Sequence, residues 1–282
     1  MGGRVSVWRA ESGNTFTKSQ DKEIGRQKEW TADQSCRSIG EGAFRNNTKL
    51  RRVILPEHVK EVGVKSFENT SLRNVEMKGI VSVRKEAFYN CTRLSQVRIP
   101  RTANFIGKRA FAQCRRLEQV QIERGSVCRE IKPETFAGCS NLNSVNIPDG
   151  ITRIERRAFY KCTALEEMKF PAGLKEIGTE AFYQTALKEL TLPEGLVKIG
   201  DSAFLKCNQL EYVCIPESVK AIEKWAFHGC NRLKILEIRR DPAEIGPWII
   251  NRSAKIRCRK GGIVDSYCQE SGFQVEYIEK KV

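Results

Sequence analysis

Histidine is almost missing: His58 and His228 are the two in 282 residues. General acid–base chemistry leans on the side chain that titrates near neutrality, so there is little here to build it from. Neither histidine lies near a cysteine pair in metal-ligand spacing, and none of the eleven cysteines forms a C-x-x-C. A zinc site of the finger or ribbon kind is therefore not expected. The phosphate-binding patterns GxxxxGK[ST] and GxGxxG are absent, and so is the GxSxG of serine hydrolases. No apolar run approaches the ~20 residues of a membrane-spanning helix. The opening MGGRVSVWRAESGNTFTKSQ has no apolar core of the kind a signal peptide carries. The chain reads as non-enzymatic, with no catalytic residue, metal or cofactor.

What is abundant is positive charge and a repeat. Lys and Arg number 49 against 34 Asp and Glu, a formal net charge of +15. That balance favours acidic partners if the charge is gathered on one face. The repeat is set by phenylalanine. Phe44, Phe67, Phe88, Phe111, Phe136, Phe159, Phe182, Phe204 and Phe227 follow one another at intervals of 21 to 25 residues. Five residues before each stands Ile or Val, from Ile39 and Val62 to Ile222. A small residue precedes each Phe, and a Leu follows five or six residues later, as in KEAFYNCTRL (85–94). The next apolar residues alternate with polar ones, as in Leu94, Val97 and Ile99, which is strand chemistry. Pro56, Pro100, Pro148, Pro171, Pro193 and Pro216 then stop the strand. Each copy is too short to bury its own apolar set, so the copies must stack. The A-F-x-x-C piece reads as a single helical turn.

The cysteines fall into place on this frame. Cys91, Cys114, Cys139, Cys162, Cys207 and Cys230 share one position, three residues after Phe, which Asn47, Thr70 and Thr185 fill in other copies. The position wants a small side chain rather than a reactive one. Of the other five, Cys258 and Cys268 have the option of pairing with each other, and Cys214 is expected at the surface of a strand. Asn46, Asn69, Asn90 and Asn251 are N-x-S/T sequons, but three of them belong to the repeat's own turn.

The pattern L-x-x-V-x-I-P followed by I-G-x-x-A-F-x-x-C-x-x-L resembles the BspA-like, or treponemal-type, leucine-rich repeat. GLVKIGDSAFLKCNQLEYVCIP (195–216) matches it throughout, whereas Arg84, Lys132, Glu155 and Glu223 replace the usual Gly after the aliphatic residue. The resemblance implies an α/β repeat fold: a right-handed solenoid with a parallel, concave β-sheet, short helical turns and loops. The expected organisation is an N-terminal segment over 1–35, loose or partly disordered and with Val5, Val7 and Trp8 as a first strand. About nine repeats follow over 36–258, then a C-terminal cap over 259–282. The family's members are commonly surface or secreted proteins of host-associated microbes that contact host matrix proteins or other cells. An adhesin-like protein-binding role is implied, with an intracellular scaffold or effector as the alternative, consistent with the missing signal and with many reduced thiols.

In a strand of this pattern the residues between the apolar ones face outward. The candidate protein-binding face comprises Gln96, Arg98, Gln119, Gln121, Asn146, Lys169, Glu189, Tyr212, Ile235 and Glu237. Tyr212 and Ile235 form its expected apolar centre. Over the whole face three basic residues (Arg52, Arg98, Lys169) meet four acidic ones (Glu76, Glu167, Glu189, Glu237), so the positive charge is not there. It lies on turns and towards the cap, where Arg239 to Lys260 holds seven basic and two acidic residues. Polyanion or nucleic-acid binding through those loops is a further alternative. Specific nucleic-acid binding is not expected, since the aromatics are mostly the repeat's own Phe anchors.

Overall fold

The computed structural model describes residues 14–19 and 27–278. Val5, Val7, Trp8 and part of the stretch from Ser12 to Asp33 lie outside the described residues. The chain forms a parallel-strand solenoid in two compact units. One is Met1–Cys128 with Lys132–Pro148; the other is Arg129–Ile131 with Asp149–Val282.

Each unit has a long-strand ladder and a short-strand ladder, the long one divided into two sheets in the first unit, and every pairing in them is parallel. In the first unit the longer strands are Glu29–Thr31, Arg52–Leu55 and Asn74–Met77 in one sheet, and Gln96–Ile99, Gln119–Ile122 and Ser144–Asn146 in another. Two-residue strands make its second ladder: Thr15–Phe16, Ser38–Ile39, Glu61–Val62, Ser82–Val83 and Phe105–Ile106. In the second unit Tyr212–Ile215, Ile235–Ile238, Lys255–Cys258 and Gln274–Tyr277 form the longer-stranded sheet. Its short ladder runs from Glu130–Ile131 through Arg153–Ile154, Glu176–Ile177, Lys198–Ile199 and Ala221–Ile222 to Glu244–Ile245. Register is in step with the repeat, with Val97 beside Val120 and Ile154 beside Ile177. A slip of one residue would turn every buried aliphatic outward.

The core is a stack of phenylalanine rings. All nine anchors are fully buried. In the first unit Phe44, Phe67, Phe88 and Phe111 lie with centroids 5.0 to 5.1 Å apart and nearly parallel planes. The step to Phe136 lengthens to 5.7 Å where the repeat is 25 residues long. In the second unit Phe159, Phe182, Phe204 and Phe227 are spaced 5.1 to 5.2 Å. An end ring would meet water on one face. In the first unit Phe16 and Trp30 cover Phe44 at 4.7 and 4.9 Å. In the second, the helix Ile263–Ser271 and the strand Gln274–Tyr277 follow the last coil, and Val264, Cys268 and Phe273 are buried there. Asp241 Oδ1 accepts the Val264 N–H at 3.1 Å, which ties the start of this helix to the preceding coil.

The Ala-Phe segment is not a helical turn. It is a run of β-turns cross-bonded to the next coil. Gly40 O accepts the Ala43 N–H at 3.3 Å and Phe44 O accepts that of Asn47 at 3.0 Å. The alternate amides, those of Gly42, Phe44 and Asn46, donate to Val64 O, Ser66 O and Glu68 O of the following coil at 2.7 to 2.9 Å. All the turn's donors are thus used, half within the coil and half between coils. This geometry requires a positive φ two residues before and two after each Phe, the third position of a type II turn. Lys65 and Asn69 (φ 52 and 59), Glu180 and Gln184 (53 and 55), and Trp225 and Gly229 (57 and 72) show it. A non-glycine residue held there costs on the order of 1–3 kcal/mol. Most such sites in this chain carry one, so the stack must repay that strain repeatedly.

The shared cysteine position is buried as the sequence implies, and it also donates. The thiols of Cys91, Cys114, Cys139, Cys207 and Cys230 point at the carbonyls of Phe67, Phe88, Phe111, Phe182 and Phe204 at 3.1 to 3.2 Å. That bond explains why Thr70 and Thr185 alternate with cysteine, since a hydroxyl also suits a polar slot. All eleven cysteines are free thiols, Cys258 and Cys268 included, and ten of them are buried.

Two outcomes follow for the second unit. Phe182→Ala removes a ring from the stack and lowers stability by about 3–5 kcal/mol. Gln184→Gly relieves a left-handed residue and raises the urea midpoint, or at worst leaves it unchanged. A midpoint clearly below that of the parent would contradict the strain at this turn.

Candidate functional site

The outward columns of the strands form the candidate surface, and the structure assembles it separately in each unit. In the first unit the strands Gln96–Ile99 and Gln119–Ile122 alternate exposed and buried along their length. Their register aligns Gln96, Gln119 and Ser144 in one row and Arg98, Gln121 and Asn146 in the next. The side chains of Gln96, Gln119, Gln121 and Asn146 hydrogen-bond no other described residue, so their amides are open to a partner. Arg98 is held by Glu123, Nε donating to Oε1 at 2.7 Å, with 70% of its side chain exposed. Gln96, Arg98, Gln119 and Gln121 line a cavity of about 520 Å³ together with Asn74, Glu76 and Glu123.

In the second unit the rows are Tyr212, Ile235, Lys255 and Cys214, Glu237, Arg257. Tyr212 is 44% exposed and its ring ends in a fixed bond, Oη donating to Glu237 Oε2 at 2.7 Å. Glu237, expected on the open face, is only 9% exposed. Arg239 Nε donates to its Oε1 at 2.9 Å and Arg257 Nη1 to its Oε2 at 3.2 Å. Arg257 continues to Glu276 at 2.6 Å. The carboxylate therefore ties the strands Tyr212–Ile215, Ile235–Ile238 and Lys255–Cys258 together, and through Arg257 reaches Gln274–Tyr277. Burial works to raise the Glu237 pKa, but the hydrogen bonds from Arg239, Tyr212 and Arg257 prevail and hold it at about 2. Burial, and then the bond to Glu237, pushes the Tyr212 phenol up to about 12, so it stays a donor at neutral pH. Cys214 is half-buried rather than openly exposed, its Sγ 3.8 Å from Glu237 Oε1.

Beside this cluster lies a cavity of about 700 Å³, lined by Glu189, Thr191, Tyr212, Cys214, Arg232 and Arg239 among others. Glu189 thus joins Tyr212, while Lys169 is exposed and lines neither cavity. Neither Lys169 nor Glu189 lies in a ladder strand; in that region Thr191 alone bridges to Cys214. Arg239 and Arg257 are the cluster members that the outward-column count leaves out, Arg257 being paired with Glu237 in the outward row of the next strand. Arg239 follows directly on the strand Ile235–Ile238, and an arginine two residues from a strand carboxylate was the available signal. Among the described residues no group of three or more His, Cys, Asp or Glu could hold a metal ion, and no helix is long and apolar enough to cross a membrane.

The geometry agrees with comparison to known proteins. The family model described as the BspA type leucine rich repeat region matches residues 22–127 and 129–257 in six copies. The chain belongs to that family, whose repeats serve in general as protein-interaction modules. No curated protein matches the chain at a significant level. Among solved structures, a leucine-rich repeat protein from Bacteroides ovatus is 23% identical with a TM-score of 0.54, covering 89% of this chain and 84% of its own. The pneumococcal vaccine antigen PcpA is 17% identical with a TM-score of 0.54, covering 90% of this chain and 80% of its own. Both likenesses are likenesses of fold.

The carboxylate clamp has a pH signature. Its folded-state pKa lies below the ordinary value of 4.5, so the stability it contributes is present above about 4.5 and is lost as pH falls towards about 2. Melting temperatures of the parent protein and Glu237→Gln therefore differ most at neutral pH and converge near pH 2. A gap that stays constant down to pH 2 would remove Glu237 as the titrating group.

Proposed function

We propose that this chain is a non-enzymatic interaction protein that binds a partner protein through its strand face, and that it acts at the surface of, or secreted by, a host-associated microbe. The observation that carries the binding role is Tyr212. It is a large, amphipathic ring, nearly half exposed, fixed in place by a buried carboxylate beside a cavity of about 700 Å³. An aromatic anchor ordered before binding loses little freedom on association, which is what interface hot spots require. Ile235 in the adjoining strand supplies apolar area next to it. Family membership supports a protein partner, and the family's common surface placement supports the location. The open amides of Gln96, Gln119, Gln121 and Asn146 give the first unit a polar surface suited to hydrogen-bonding an extended partner segment.

The thiols do not argue for an intracellular setting. Ten of the eleven are buried, where neither an oxidising nor a reducing surrounding reaches them easily. Protease treatment of intact source cells, read with an antibody to the repeat array, decides the location: loss of the signal supports the surface reading, and protection until lysis overturns it. Against a captured partner, Tyr212→Ala with Ile235→Ala reduces affinity at least tenfold, which is about 1.4 kcal/mol. Unchanged affinity in a folded double variant would remove this patch from the interface.

A further inference from the structure

The turn face of the second unit carries a row of rings and cations that the strand-face reading does not use. Two residues before the anchor position stand Trp225 and, one coil later, Trp248 (the coil in which Ile250 replaces the Phe). Elsewhere in that column the residue is charged or small: Gly42, Lys65, Glu86, Arg109, Glu134, Arg157, Glu180 and Ser202. Both tryptophans adopt φ of 57 and 56, a conformation that bulky side chains avoid, and both are 42% exposed. Trp248 packs edge-on to Phe273 at 6.1 Å, but Trp225 has no such partner ring among the described residues. The positive φ belongs to the repeat's own turn, so what burial leaves unexplained is the large, half-exposed ring placed there. Further along the same face Tyr160 and Tyr183 stack at 4.7 Å.

Cations sit over these rings. Arg157 lies 5.1 Å and Lys161 5.4 Å from the Tyr160 centroid, Lys206 5.9 Å from Tyr183, Lys224 4.8 Å from Trp225 and Arg252 5.0 Å from Trp248. Arg157 and Lys224 are neutralised by Glu180 and Asp201. Lys161, Lys206 and Arg252 make no ion pair among the described residues. By offset these three stand two residues after the anchor on every second coil, with Gln184 and Gly229 between them; Lys161 and Lys206 share the left-handed turn conformation, and Arg252 follows Asn251, whose side chain replaces the turn carbonyl in accepting the Gly229 N–H. Coils advance by the 5.1 to 5.2 Å that separates stacked Phe rings. The unpaired cations therefore recur at roughly 10 Å, twice the strand spacing.

We propose that this face binds an extended acidic polysaccharide lying along the stacking direction, with one acid group per disaccharide. Lys161, Lys206 and Arg252 take successive acid groups, since an extended two-sugar unit advances by about the same distance as two coils. The exposed faces of Trp225 and Trp248 pack on the apolar faces of the sugars between them. A nucleic acid fits less well. Its phosphates advance by about 3.4 Å along a strand, about a third of the spacing between the unpaired cations.

The test is titration of the full chain with a hyaluronan decasaccharide at low salt, followed by tryptophan fluorescence. Binding weakens as salt rises, and the combined variant Lys161→Gln, Lys206→Gln, Arg252→Gln loses at least tenfold in affinity. Trp225→Ala with Trp248→Ala loses at least fivefold, read by calorimetry since the reporter rings are gone. Tyr212→Ala, on the strand face, leaves this binding intact. The proposal is overturned if no saturation is reached, if the folded cation variant binds like the parent, or if a single-stranded oligonucleotide of equal charge binds as tightly. Should the tryptophan variant fail to fold by circular dichroism, the cation variant and the oligonucleotide comparison decide the outcome.

Discussion

The structure depends on one contact repeated within each unit: the amide of an anchor Phe donates to the carbonyl just before the next anchor, while its ring stacks on the next ring wherever that anchor is also a Phe. Phe44 N–H reaches Ser66 O at 2.7 Å and the two rings lie 5.0 Å apart. The same pair of contacts recurs from Phe182 to Phe204 at 2.8 and 5.2 Å. The bond fixes the rise per coil and the ring stack fixes the lateral register. Once both are set, the buried thiol three residues later has one carbonyl within reach, and the following Leu can point only inward. Stability is therefore local and additive along the stack, as expected of repeat arrays. It is also what tolerates left-handed lysines, glutamates and tryptophans in the turns, since each coil's strain is offset by the contacts on both sides.

Because the inward positions are committed, variation is confined to two outward surfaces, and they differ in character. The strand face is close to neutral, its arginines answered by glutamates: Arg52 by Glu76 and Arg98 by Glu123. Such a face offers shape and hydrogen bonds rather than long-range attraction. On the turn face many charges are likewise paired between coils, as in Arg45 with Glu68 and Arg109 with Glu86. In both pairs the glutamate is buried, so the arginine answers a carboxylate that would otherwise be left without a counter-charge. The excess charge of +15 is expressed where the pairing stops, and Lys161, Lys206 and Arg252 are such places. Net charge alone would not have separated these two surfaces; the column each residue occupies does.

Much of the fold was legible because its constraint is periodic. The Phe spacing alone yields the solenoid, the buried aliphatics and the common cysteine site. The turn conformation was not legible, because positive φ announces itself through glycine and here the positions hold Lys65, Glu86, Arg109 and Trp225. Nor was the first described coil, since it lacks an Ala-Phe pair. Its signal lay in two other columns: Phe16 stands 23 residues before Ile39, and Trp30 the same distance before Val53. The candidate face was legible as columns. What remained hidden was which members are free, because that depends on partners from other coils: Gln119 keeps its amide, whereas Glu237 is claimed by Arg239 and Arg257.

Glu237 shows how a residue in the column proposed for binding is withheld from it by its own hydrogen bonds. A carboxylate open to solvent would compete with a partner for water and move with its own side-chain freedom. Bound to two arginines, it becomes a fixed acceptor that holds the Tyr212 hydroxyl at 2.7 Å. The ring that faces the cavity is thereby ordered before any partner arrives, and the entropic cost of placing it is borne by folding rather than by binding. Its position late in the array matters too. Towards the end of a stack coils have fewer neighbours to restrain them, and a tie running from the Tyr212 strand through Glu237 and Arg257 to Glu276 restores that restraint to the coils carrying the exposed aromatic. Structural closure of the second unit and presentation of its most exposed strand-face ring are thus one set of hydrogen bonds.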